Sequence, residues 1–341
     1  MFILEKVKIM KTACEFNREI IRETNPLLSY SGENFNEWQK KAREKLSSLL
    51  GIDTFKIVDD DLDIEYETET EKATEIRFTF NTEEGYRAPA HLFIPKGIKK
   101  PPVMICLQGH TNGMHISFAR PKYKGDEEDI AGGDRDFCVR ALKEGFAAVA
   151  LEQRAMGETG ERDGRMCLQE SLAALLAGRT TIGERVWDVM RLIDVINDHF
   201  SEKVDVGTIC CMGNSGGGTT TSYVAALEDR LALAMPSCAM STYKDSIGAM
   251  FHCACNYVPG IVKYFDMNDL LSMAYPKYYV QVNGIEDPIF PLAGAEEVFK
   301  KGIRVYEENG LSDRCVHVKG NGSHRFYADD SWREVHRLLK I

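Results

Sequence analysis

The residues Gly213-Asn214-Ser215-Gly216-Gly217 match the pattern G-x-S-x-G. A serine hydroxyl is a poor nucleophile until a base removes its proton, so a reactive serine must be held in the open beside one. The flanks of this pentapeptide provide for that. An apolar, strand-like run, Val206-Gly207-Thr208-Ile209-Cys210-Cys211-Met212, leads in, and a helix-capable stretch over 219–227 leads out. Together they spell a sharp strand-to-helix turn. The serine sits at its apex in a strained backbone conformation, and glycines stand where a Cβ would collide with neighbouring chain. The turn also aims the unpaired N–H groups of the helix start at the reacting centre. So short a pattern arises by chance as well, and its meaning depends on whether an acid and a histidine follow.

Both follow. Enzymes that use such a turn carry serine, then acid, then histidine in chain order. Past residue 276 the histidines are His317, His324 and His336. His317 lies in a strand-like run and His336 in a C-terminal helix, both structural or surface positions. His324 ends Gly320-Asn321-Gly322-Ser323-His324, a Gly-rich loop after a strand, where functional side chains are usually displayed. The acid is Asp287, with Glu286 as the alternative, in Gly284-Ile285-Glu286-Asp287-Pro288 after an apolar strand. An ordinary Asp-Pro turn would account for Asp287 alone; three signals in order, each just past a strand, favour chemistry. His324 is then the base that takes the Ser215 proton, and Asp287 fixes its tautomer. Oxyanion donors are expected at the Gly216 N–H and at the His110 N–H, in the loop Gln108-Gly109-His110 after the strand over 103–107. The imidazoles of His110 and His115 read as loop lining.

The elements that must position these groups follow from periodicity. Residues 1–65 read as helical and strandless, with Phe35, Trp38, Ala42, Leu46 and Leu49 at helical spacing over 34–50 and Gly51 as the stop. Strict alternation over 76–80 and an apolar run over 90–95 read as an antiparallel edge pair. Strands over 103–107, 146–151, 206–212, 231–235, 277–283 and 314–318 then alternate with helices over 134–144, 184–200, 217–227, 293–309 and 328–340. That is the pattern of an α/β fold with a mostly parallel sheet covered on both faces, in one catalytic domain over 66–341. Ser215, Asp287, His324 and His110 all fall at carboxyl ends of strands, where such sheets bind ligands. Two long insertions, 152–182 and 239–276, are expected to wall the pocket. Arg154 reads as an ion pair with Glu152 holding the loop, or as a substrate contact. Tyr257, with Phe251 and Phe265, is a packing aromatic or a substrate contact.

Composition excludes several classes. The 341 residues carry a net charge of −10 and a pI near 5.4, which argues against nucleic acid and anionic membranes as partners. The N-terminus lacks the order of a signal peptide, and no run reaches the ~20 apolar residues of a membrane span, so a cytoplasmic location is expected. Ten cysteines, several in core strands, suit a reducing compartment. His252-Cys253-Ala254-Cys255 has C-x-C rather than C-x₂-C spacing and no second pair, so packing is favoured and no metal is expected. No organic cofactor motif opens the sheet. The amphipathic N-terminal arm leaves a homo-oligomer open.

Over residues 70–341 the chain resembles the α/β-hydrolase superfamily, and within it the dienelactone-hydrolase and acetyl-xylan-esterase-like group. Carrying the resemblance are Leu107-Gln108-Gly109-His110, Glu152-Gln153-Arg154-Ala155-Met156-Gly157-Glu158, the stretch 178–188, Gly213-Asn214-Ser215-Gly216-Gly217-Gly218, Cys255-Asn256-Tyr257-Val258-Pro259-Gly260 and Asp287-Pro288-Ile289-Phe290-Pro291. Related sequences often have His-Gly where this chain has Gln108-Gly109, which changes the loop's hydrogen bonding without removing a backbone donor. The resemblance implies an esterase for small-molecule or carbohydrate esters, including removal of acetyl groups from sugars. A serine peptidase of related fold and a non-catalytic binding protein that retains the fold are the competing readings.

Overall fold

The computed structural model describes residues 10–160 and 167–341. The N-terminal stretch read for a leader, residues 1–8, lies outside the described residues, as do 161–166 of the first insertion. Helices α1 (Ala13–Glu23) and α2 (Phe35–Leu50) come first, then strands β1 (Asp63–Glu69), β2 (Ala73–Glu83), β3 (Tyr86–Pro95) and β4 (Pro102–Leu107). Next are α3 (Asp126–Ala131), α4 (Phe137–Lys143), β5 (Ala147–Leu151), α5 (Cys167–Leu176), α6 (Thr181–Phe200) and β6 (Asp205–Asn214). The chain ends with α7 (Gly216–Leu227), β7 (Leu231–Ser237), α8 (Met267–Met273), β8 (Tyr278–Gly284), α9 (Leu292–Gly302), α10 (Arg304–Glu308), β9 (Cys315–Gly320) and α11 (Ala328–Leu339).

The strands form one nine-stranded sheet in the order β1-β2-β3-β5-β4-β6-β7-β8-β9. Pairing is antiparallel from β1 to β5 and parallel from β5 to β9. The parallel strands are apolar on both faces: β5, Ala147–Leu151, is buried at every position. Two large buried clusters, one on each face, fill the space between sheet and helices.

Residues 1–65 were expected to hold no strand, but β1 begins at Asp63 and extends the edge pair to three strands. Every residue of β1 is exposed, and its sequence, Asp-Ile-Glu-Tyr-Glu-Thr-Glu, has no buried face to create a periodicity. Charged side chains on an edge strand hinder pairing with a further chain. The helix expected over 293–309 is two helices, broken at Ile303.

The N-terminal extension docks onto the main domain. Asn34 accepts from the Glu37 N–H to start α2, and Gly51, at φ 78°, ends it. The i, i+4 row Trp38, Ala42, Leu46 and Leu50 joins the same buried cluster as β2, β3 and β5. The Leu27 and Leu28 N–H groups donate to Lys263 and Tyr264 carbonyls at 2.9 Å. Ser29 Oγ donates to the Asp269 carboxylate at 2.8 Å. The extension therefore buttresses the segment 239–276.

The expected Arg154–Glu152 pair does not form. Arg154 Nε and Nη2 donate to the two Asp188 oxygens at 2.8 Å, Nη2 is 2.7 Å from Glu83, and the guanidinium lies 4.0 Å above the Tyr86 ring. This clamps the β2–β3 hairpin to α6. Glu152 instead accepts from the Met114 and Glu158 N–H groups. Burial pushes the Glu152 carboxyl up to about 7, although those backbone donors favour its charge. Arg154 is claimed by the buried carboxylates of Asp188 and Glu83, and Glu152 by the backbone N–H groups of Met114 and Glu158.

The Asp188 carboxylate is wholly buried, so removing its cation leaves an uncompensated charge in the core. Arg154→Met is expected to lower the unfolding free energy by about 3–5 kcal/mol, read from the midpoint of a urea titration. A loss under 1 kcal/mol would contradict the clamp.

Candidate active site

Ser215 stands between β6 and α7 at φ 55°, ψ −120°, a region that non-glycine residues rarely occupy. Its surroundings enforce that geometry. The Ser215 N–H donates to the Ser237 carbonyl at 2.8 Å, and Ser237 Oγ donates to Asn214 Oδ1 at 2.8 Å, tying the turn to the end of β7. Below it, α7 presses on the sheet. A Cβ on Gly217 would come within 2.1 Å of the Leu107 carbonyl oxygen, and one on Gly213 within 2.4 Å of Gly217. Only glycine fits at either position. α7 starts at Gly216 without a side-chain cap, so its first N–H groups are open at the serine.

Asp287 and His324 come from the loops after β8 and β9. Two backbone bonds lash these loops together: the Ile285 N–H donates to the Gly320 carbonyl at 3.0 Å, and the Glu286 N–H to the Gly322 carbonyl at 2.9 Å. His324 Nδ1 lies 2.8 Å from Asp287 Oδ2. Asp287 Oδ1 accepts from the Ile289 and Phe290 N–H groups at 2.8 and 3.0 Å. Burial raises the Asp287 pKa, but the His324 hydrogen bond and charge, with the two backbone donors, outweigh it and hold the carboxyl below its ordinary value. Glu286 is exposed and forms no side-chain hydrogen bond or ion pair with His324. The His324 ring stacks on Phe290, with 6.0 Å between centroids.

Ser215 and His324 open onto one cavity of about 350 Å³. No hydrogen bond joins the two side chains in this state. His110 lines the same cavity, its ring packed on Gly216 and its Nε2 3.2 Å from Cys255 Sγ. Neither the His110 nor the Gly216 N–H donates to another group among the described residues. Gln108, the departure from His-Gly, braces this loop: its Nε2 donates to Ser117 Oγ and to the Arg135 carbonyl at 2.8 Å.

The two long insertions contribute unequally. Phe251, His252, Cys253 and Asn256 of segment 239–276 line the cavity, whereas no described lining residue comes from 152–182. Arg154 is held in its clamp and does not line the cavity. Tyr257 lines a neighbouring apolar pocket with Ile21 and Val258, and Phe265 is wholly in the core. Of the side chains that line the cavity instead, Arg135, Phe137 and Thr111 were not singled out in the sequence. Arg135 enters from just before α4 and Phe137 from its first residue, and Ile289 and Phe290 follow Asp287. Thr111, Gln108 and Asn256 line the cavity, and their Oγ1, Oε1 and Oδ1 atoms are buried without a partner among the described residues. His252 lies against the same wall, and burial together with the nearby His324 and His110 lowers its pKa to about 4. Ser246 Oγ donates to the Ile289 carbonyl, so the His252 Nε2–H must donate to Ser246 Oγ at 3.2 Å, which leaves Nδ1 as a bare acceptor.

Comparison with known proteins fixes the fold. No protein-family model matches the chain. It is 26% identical over 262 residues to YtaP of Bacillus subtilis (strain 168), named provisionally as a hydrolase, covering 74% of this chain and 83% of that protein. A Bacteroides fragilis NCTC 9343 protein, named provisionally as an acetyl xylan esterase, superposes with a TM-score of 0.75 at 14% identity, over 93% of this chain and 84% of the other. A glucuronoyl esterase from Solibacter usitatus superposes with a TM-score of 0.69 at 14% identity, over 93% and 97%. The chain has the α/β-hydrolase fold of these esterase structures. No helix of the described residues is long and apolar enough to cross a membrane.

The Asp287–His324 contact has a direct spectroscopic signature. A downfield proton resonance from His324 Nδ1–H is expected in wild type and in Glu286→Gln, and is lost in Asp287→Ala. Its survival in Asp287→Ala would assign the bond to another acceptor.

Proposed function

We propose that the protein is a serine-dependent carboxylester hydrolase that removes short acyl groups from hydroxyl-rich, carbohydrate-class substrates. The observation that carries this reading is the Asp287–His324 pair opening onto the same cavity as the serine of the strained turn. An ionised Asp287 accepts the Nδ1–H and leaves Nε2 bare, so His324 can take the Ser215 proton as Oγ attacks the ester carbonyl. The carbonyl oxygen becomes an oxyanion, and the free N–H groups of Gly216 and His110 are the donors for it. His324 then protonates the leaving alcohol, and water, activated by the same imidazole, releases the acyl group from Ser215.

Substrate class follows from the walls. Burying a polar group without a partner costs about 1–3 kcal/mol, and Thr111, Gln108 and Asn256 of the cavity wall each carry one. A sugar carries hydroxyls to meet them; a long acyl chain does not. The esterase names of the structural neighbours agree with this chemistry.

Ser215→Ala is expected to reduce p-nitrophenyl acetate turnover by at least ~10³-fold, and to abolish labelling by a fluorophosphonate. Wild type should prefer acetate to octanoate. Unchanged turnover in Ser215→Ala would end the proposal. Thr111→Val and Asn256→Leu are expected to raise KM for an acetylated xylo-oligosaccharide roughly tenfold each, while KM for p-nitrophenyl acetate stays within a factor of about two. Equal changes on both substrates would remove these residues from sugar recognition.

A further inference from the structure

Beside the cavity, four metal-binding side chains from three separate segments converge. They are His110 after β4, Cys167 at the start of α5, and Cys253 and Cys255 of segment 239–276. Their ligand atoms all lie within 4.8 Å of one another. His110 Nε2 is 3.2 Å from Cys255 Sγ, which is 3.4 Å from Cys253 Sγ. Around a tetrahedral zinc ion, with Zn–S of ~2.3 Å and Zn–N of ~2.0–2.1 Å, such atoms would stand roughly 3.5–3.8 Å apart. Small side-chain rotations separate the observed arrangement from that one.

A second observation concerns charge. Arg185, on α6, is 0% exposed. Its Nε and Nη2 donate to the Arg154 carbonyl at 2.9 and 2.7 Å, and Nη2 lies 3.4 Å from Cys167 Sγ. Nη1 has no partner among the described residues. A guanidinium does not lose its proton in a protein, and a buried cation without a counter-charge is strongly disfavoured. No carboxylate pairs with Arg185 among the described residues, so the neighbouring sulfurs are the available anions. Three neutral thiols would leave it uncompensated, and three bare thiolates would overcompensate and repel each other. Three thiolates, a neutral imidazole and a divalent cation carry a net charge of −1, which Arg185 cancels.

We propose that His110, Cys167, Cys253 and Cys255 form a structural site for a divalent, thiolate-preferring cation, zinc foremost, which staples the loop after β4 to both long insertions. With four protein ligands the site keeps no open position, so the ion holds structure and takes no part in ester chemistry. Its placement matters because the His110 ring packs on Gly216: a Cβ there would come within 2.9 Å of His110 Cε1. Fixing the ring fixes the main chain that carries the His110 N–H. The C-x-C spacing misleads because the remaining ligands lie far away in sequence, at 110 and 167.

The test uses the full chain, purified under reductant without a metal-affinity step. Zinc content is measured by elemental mass spectrometry. Stripped protein is then titrated with Co²⁺, whose thiolate charge-transfer and intense visible ligand-field bands report a tetrahedral sulfur-rich site. The expected result is one ion per chain and a cobalt spectrum of that type, bleached by added Zn²⁺. The Cys253→Ser/Cys255→Ser double variant should weaken binding more than ~10-fold, whereas Cys14→Ser, at an exposed cysteine, should bind as wild type. Wild type that shows no thiolate–cobalt band with its thiols reduced overturns the proposal. So does a double variant that binds like wild type. Should the double variant not fold, the wild-type titration decides alone.

Discussion

The structure turns on the close contact between the start of α7 and the ends of β4 and β6. Gly217 lies so near the Leu107 carbonyl that no side chain fits between them. That contact lets the helix begin directly after β6, with no loop to relax the bend. The backbone strain falls on Ser215, which is held at positive φ by its bond to Ser237 and by the helix behind it. A hydroxyl fixed in this way keeps its position when a ligand enters, and the open N–H groups of the helix start are fixed with it.

Around that turn, the carboxyl edge of the sheet is assembled by polar bonds between loops. Gln153 shows the method. Its Nε2 donates to the Gln108 carbonyl and its Oε1 accepts from Thr220 at 2.8 Å, joining the ends of β5 and β4 to α7. The loops after β8 and β9 are joined by backbone bonds, so the Asp287–His324 distance is set by main chain rather than by flexible side chains. On the far side of the hairpin, Arg154 spends its charge on buried carboxylates. Arg185, on α6, has no carboxylate partner among the described residues, and its Nη2 lies 3.4 Å from Cys167 Sγ.

How much of this was legible varied with the kind of signal. The parallel strands were readable because burial on both faces makes them continuous apolar runs, and α2 because Trp38, Ala42 and Leu46 mark one face; the structure continues that face to Leu50 rather than Leu49. β1 was not, since a strand exposed at every position has no hydrophobic pattern to display. The Arg154–Glu152 pairing failed because nearness in sequence does not fix side-chain partners: Asp188 and Glu83, distant in sequence, claim Arg154, and the Met114 and Glu158 N–H groups claim Glu152. Tyr257, read as a packing aromatic or a substrate contact, sits next to Asn256, which lines the cavity, but itself lines a neighbouring apolar pocket.

The sequence by itself determined the alternation of strands and helices, the strand-to-helix turn at Ser215, and the order in which acid and histidine follow. These are local: sterics and hydrogen bonding within a few consecutive residues encode them. Only the tertiary structure decided that Asp287 rather than Glu286 meets His324, that Arg135, Phe137, Thr111, His252 and Asn256 wall the cavity, and that His110 and three cysteines gather beside it. Those juxtapositions join segments separated by tens to hundreds of residues. Their geometry comes from how helices and loops pack on the sheet, a property of the whole core that no short stretch of sequence contains.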